Sequence, residues 1–106
     1  MMYTLIESPL FTKLWPDYWS ESERGEFAAW LAANPQSGDI IPGSGGIRKV
    51  RWTCSNRGKR GGVRIIYYRK ESAHTIWLLT LYTKSNTQNI PAHILKALKQ
   101  AFIHDK

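Results

Sequence analysis

The stretch GIRKVRWTCSNRGKRGGVRIIYYRK, residues 46–70, decides how this chain is read. It holds nine Lys or Arg and no acidic residue. Val, Ile, Tyr and Trp interspersed with basic residues stand on either side of a glycine-rich centre. That is the pattern of two β-strands joined by a loop. Strands prefer Val, Ile, Tyr and Trp and deplete Lys, so this density of positive charge asks for a reason.

Working outward, strands are predicted at about 47–53, 63–70 and 75–83, with Glu71–His74 as a tight turn between the last two. Three successive strands with short connections form an antiparallel meander. Upstream, Tyr3–Glu7 reads as a short opening strand, and Ser8-Pro9 as a helix start carrying Leu10, Phe11, Leu14 and Trp15 on one stripe. Ser20-Glu21-Ser22-Glu23 is a capping box ahead of a helix with Phe27, Trp30 and Leu31, ended by Asn34-Pro35. Residues 36–46, QSGDIIPGSGG, read as turn chemistry. Pro91 opens a last helix with Ile94, Leu95, Leu98, Ala101 and Phe102 on one face. The expected fold is a single α+β domain over residues 1–106, in the order β-α-α-β-β-β-α, an antiparallel sheet with its helices on one face.

Strand side chains alternate between faces. Parity puts Val50, Trp52, Val63, Ile65, Trp77, Leu79 and Leu81 under the helices. It gathers Lys49, Arg51, Arg64, Tyr82 and Lys84 on the other face, over Ile66 and Leu78. Arg48 falls beside the first set, while Arg57, Lys59 and Arg60 lie in the loop.

Composition narrows the partners. The chain has 106 residues and a net charge of +7. Residues 1–39 hold two basic and six acidic side chains, and residues 40–106 thirteen and two. Such asymmetry suits an anionic partner, with nucleic acid first. No basic amphipathic helix points to a lipid surface. No apolar run approaches the ~20 residues of a membrane span. The N-terminus lacks a basic region followed by an apolar one, and Cys54 is the only cysteine, so a cytoplasmic protein is expected. His74, His93 and His104 lack metal-ligand spacing, and no phosphate-cradling glycine motif is present. No metal or other cofactor is expected.

A group of Lys, Arg and Tyr suits RNA phosphate chemistry. When an RNA 2′-hydroxyl attacks its neighbouring phosphate, charge collects on the phosphoryl oxygens. Arginine offers them planar, permanently charged donors. A lysine crowded by cations gives up its proton more readily. Tyrosine stacks on a base or donates a hydrogen bond. The same residues also make a plain RNA- or DNA-binding surface, and composition leaves both readings open.

Three pieces, NPQSGDIIPGSGGIRKVRW, GKRGGVRIIYY and IWLLTLYTKS, resemble the HigB-type branch of the RelE/ParE toxin superfamily. The resemblance implies a RelE-like two-layer fold. It also implies the toxin of a type II toxin–antitoxin pair, a ribosome-dependent mRNA endoribonuclease that works without metal. By resemblance, Lys49 is the proton acceptor, Arg51 and Arg64 hold the phosphate, and Tyr82 or Lys84 positions the base or helps the leaving group. Arg48, Arg57, Lys59 and Arg60 are expected to grip RNA. The implied partners are the ribosome with its mRNA and a cognate antitoxin, HigA-like and DNA-binding, which alone would bring the toxin to operator DNA. A tyrosine that some members carry on the last helix has no counterpart within residues 90–103.

Overall fold

The computed structural model describes residues 2–53, 62–83 and 90–103. Five strands form one sheet in the order β1-β5-β4-β3-β2. They are β1 (Thr4–Glu7), β2 (Asp39–Ile40), β3 (Ile47–Trp52), β4 (Val63–Lys70) and β5 (Thr75–Thr83). The helices are α1 (Pro9–Leu14), α2 (Glu21–Ala33) and α3 (Ala92–Phe102). The α+β class and the expected order of elements hold. Two features go further. The edge strand β1 runs parallel to β5, so the sheet is mixed, and β2 is an additional strand in a segment that reads as turn.

Local chemistry fixes the helices. The Ser8 hydroxyl accepts from the Phe11 amide at 3.0 Å, with proline following at the first helical position. The capping box of α2 is complete. The Glu23 amide donates to Ser20 Oγ at 3.2 Å, and the Ser20 amide donates to Glu23 Oε1 at 2.8 Å.

α1 and α2 cover one face of the sheet. Phe11, Phe27 and Leu31 pack with Val50, Val63, Ile65, Tyr67, Ile76, Leu78 and Leu81. Trp52 joins them, its ring 5.5 Å from Phe27 and 4.9 Å from Trp30. The third helix lies on the other face. Leu95 and Ile103 pack with Ile47, Ile66, Leu79 and Tyr82, and Trp77 flanks the cluster. The Lys99 ammonium sits 3.9 Å from the centre of the Tyr68 ring. The sheet is thus covered by two helices on one side and partly by one on the other, where helices on a single face were expected.

The parity expectation is corrected in the first half of β5. Ile66 pairs with Thr80, but Tyr67 pairs with Leu78, so Leu79 is an extra residue. This β-bulge reverses the alternation. Trp77 and Leu79 turn to the α3 face, and Ile76 and Leu78 to the α1/α2 face. Beyond the bulge, Leu81 and Tyr82 stand where expected. Ser8 braces the bulge, because its hydroxyl donates to the Leu79 carbonyl at 2.7 Å.

Candidate nucleic-acid interface

Strand register assembles the site. Arg51 on β3 is paired with Arg64 on β4, and Arg64 with Tyr82 on β5. Directly paired residues point to the same side, so these three form one row across three strands. Lys49 lies on the same face, two residues from Arg51 along β3, roughly 7 Å away. It belongs to the next row, beside Ile66. Arg51 is exposed, and Lys49 and Arg64 are half-buried.

Two arginines directly opposite each other cost a sheet stability, because like charges in that position repel. Tyr82 is 5% exposed and belongs to the apolar cluster under α3. Burial raises its phenol above the ordinary value of 10.0, and the Arg64 charge opposes the rise. Tyr82 is therefore a neutral phenol at physiological pH, a hydrogen-bond donor held next to a guanidinium.

Arg48 stands apart. It pairs with Tyr67, on the α1/α2 face, and Nη1 donates to the Gly38 carbonyl at 2.7 Å and to the Gln36 carbonyl at 3.5 Å. Its side chain clasps the 36–38 loop and is not brought to the row of Arg51, Arg64 and Tyr82. Lys84, Arg57, Lys59 and Arg60 lie outside the described residues, as do Cys54 and His104.

One acidic residue is brought in that the sequence reading left in a turn. Asp39, on β2, is paired directly with Lys49. Its position is set by the residue before it. The Gly38 amide donates to the Tyr67 hydroxyl at 2.9 Å, and that hydroxyl donates to the Pro35 carbonyl at 3.0 Å. A Cβ on Gly38 would lie 2.8 Å from Tyr67 Oη and 2.9 Å from the Lys49 carbonyl oxygen. The only sequence signal was the pair Ile40-Ile41 after Asp39, too short a run to define a strand.

Among the described residues, no group of three or more His, Cys, Asp or Glu converges as a metal site would. No helix among them is long and apolar enough to cross a membrane.

Solved structures share this fold. A double arginine-to-alanine mutant of E. coli toxin RelE in the free state matches with a TM-score of 0.63 at 12% identity, over 92% of this chain and 96% of that one. The RelBE2 toxin–antitoxin complex from Mycobacterium tuberculosis matches with a TM-score of 0.61 at 17% identity, over 78% and 99%. A mutant E. coli RelE in complex with the antitoxin RelBc peptide gives 0.55 at 14% identity, over 86% and 100%. No protein-family model matches the chain. The protein thus has the fold seen in RelE toxins.

Proposed function

We propose that this protein is the toxin of a type II toxin–antitoxin pair, of the HigB type, and acts as a ribosome-dependent mRNA endoribonuclease in the cytoplasm. The observation that carries the reading is the transverse row of Arg51, Arg64 and Tyr82 with Lys49 beside it. Paired arginines are costly in a sheet without an anion and favourable with one. The shared fold with RelE toxins supports the same reading.

In this reading Arg51 and Arg64 bind the phosphoryl oxygens that gain charge during 2′-hydroxyl attack, where aimed cationic donors contribute most. Lys49 meets the attacking hydroxyl. Tyr82 donates a hydrogen bond or stacks against the base beside the scissile phosphate. Lys84 helps the leaving group, and Arg57, Lys59 and Arg60 contact ribosomal RNA. The partner is a HigA-like, DNA-binding antitoxin that neutralises the toxin and carries it to operator DNA.

Growth arrest tests this. Expression of the chain alone should stop growth, Arg64→Ala should relieve the arrest, and co-expression of the antitoxin should do the same. Arrest by the Arg64→Ala variant equal to that by the wild type would favour a non-catalytic RNA- or DNA-binding module on the same scaffold.

A further inference from the structure

The register that pairs Asp39 with Lys49 places a carboxylate beside an ammonium at the margin of the basic row. Directly opposed residues of an antiparallel pair typically hold their Cβ atoms ~4.5–5.5 Å apart. The two do not close into an ion pair, unlike Arg24 with Glu7. Asp39 is also the only described carboxylate that strand pairing sets on this face. Glu7 lies on β1 and binds Arg24. Glu21, Glu23 and Glu26 are on α2, Asp17 is in the turn after α1, and Glu71 is at the far end of β4.

A negative charge here weakens phosphate binding, so a plain polyanion surface gives it no use. The backbone nonetheless fixes it. Gly38 is held by the Tyr67 hydroxyl through its amide and by Arg48 through its carbonyl, with no room for a Cβ. Two hydrogen bonds and the tight space around this one residue set where the next one stands.

A carboxylate only accepts hydrogen bonds, and an ammonium only donates them. A hydroxyl does both. The pair is therefore complementary to a ribose 2′-hydroxyl, the group that distinguishes RNA from DNA.

We propose that Asp39 is a catalytic residue of this site, binding the attacking 2′-hydroxyl together with Lys49 and taking its proton. The assignment rests on the RNA-cleaving reading above and moves proton acceptance from the Lys49 amine to the carboxylate across from it. The 2′ O–H bond breaks toward Asp39 as the 2′-oxygen–phosphorus bond forms. The phosphorus–5′-oxygen bond breaks, and the 5′ oxygen takes a proton from solvent. The products are a 2′,3′-cyclic phosphate and a 5′-hydroxyl, and Asp39 then releases its proton to solvent. Lys49 stays a cation throughout and donates to the 2′ oxygen.

The test uses the full chain on mRNA-programmed ribosomes. Asp39→Asn keeps the shape and a hydrogen-bond acceptor but cannot take the proton. Its single-turnover cleavage should fall by ~10²-fold or more, the scale of general-base catalysis. Binding separates the two roles. In a cleavage-deficient Arg64→Ala background, mRNA with an intact 2′-hydroxyl at the scissile nucleotide should bind ~3–10-fold more tightly than its 2′-deoxy form, the value of one hydrogen bond. Adding Asp39→Asn should preserve that preference, and adding Asp39→Ala should abolish it. Cleavage by Asp39→Asn within ~3-fold of wild type would overturn the assignment and leave the RNA-cleaving reading standing. A wild type that does not cleave would overturn both.

Discussion

Arg64 on β4 stands directly opposite Tyr82 on β5, and its charge opposes the rise that burial imposes on the Tyr82 phenol. The pair joins the apolar floor beneath α3 to the charged row above it. Arg64→Ala should abolish cleavage on programmed ribosomes while ribosome binding survives, because Arg57, Lys59 and Arg60, the residues proposed to contact ribosomal RNA, are untouched. The same substitution removes the opposing charge, so the Tyr82 phenol should titrate at still higher pH. Following tyrosinate absorbance with pH in the two proteins checks this.

Tyr82 also makes stability depend on alkaline pH in a defined direction. Its proton is held more tightly in the folded chain than in the unfolded one. The resulting stabilisation is complete below the unfolded value near 10 and is lost as pH rises through the higher folded value. Tyr82→Phe removes this dependence. Urea midpoints from about pH 9 to 11 should fall less steeply for the variant than for the wild type.

The clasp around Gly38 should be sensitive to small changes. Gly38→Ala places a methyl against the Tyr67 hydroxyl and the Lys49 backbone, and overpacking of this kind costs ~1–3 kcal/mol. Tyr67→Phe strands the Gly38 amide and Pro35 carbonyl, at ~1–3 kcal/mol if both stay dry. Each should lower Tm by several degrees, since ~1 kcal/mol shifts a domain of this size by about 4–8 °C.

Ser8→Ala should be as damaging as a core substitution, although it removes one oxygen. The hydroxyl caps α1 and ties it to the Leu79 carbonyl at the bulge, and Ser8 is 4% exposed. Loss of a cap alone costs ~0.5–2 kcal/mol. Thermal melts should show a larger loss for Ser8→Ala than for Ser22→Ala, an exposed residue in the first turn of α2.

How much of this was legible in the sequence follows from where one face differs chemically from the other. In β3, Val50 and Trp52 share one parity and Lys49 and Arg51 the other, so the facing of Val50 and Arg51 could be read directly. In β5, Ile76, Trp77, Leu78 and Leu79 are all apolar because helices cover both faces. Alternation then carries no signal, and the bulge at Leu79 left no trace. The face chosen by α3 was hidden for the same reason. Its Leu95, Leu98 and Phe102 stripe announces a helix but not what it packs on. Asp39 was missed because β2 has two residues, set by a backbone clasp rather than by hydrophobic pattern. Lys49, Arg51, Arg64 and Tyr82 were legible together, since three strands of known parity bring them to one place.

Arg57, Lys59 and Arg60, proposed to contact ribosomal RNA, should behave unlike the row. Replacing all three with alanine should weaken ribosome binding and flatten its salt dependence, because fewer counterions are released. Cleavage at saturating ribosome should survive. Titrations at several salt concentrations measure both effects.

The central claim is that this sheet supplies charge and proton acceptance while the ribosome supplies alignment. Holding reacting groups in near-attack geometry is worth roughly 7–11 kcal/mol, and a shallow sheet face does not constrain a free RNA backbone. The most direct measurement compares cleavage of one mRNA, naked and in a programmed ribosome with a filled peptidyl site. The account predicts rapid cleavage in the ribosome and little on naked RNA. Equal rates on the two substrates would contradict it.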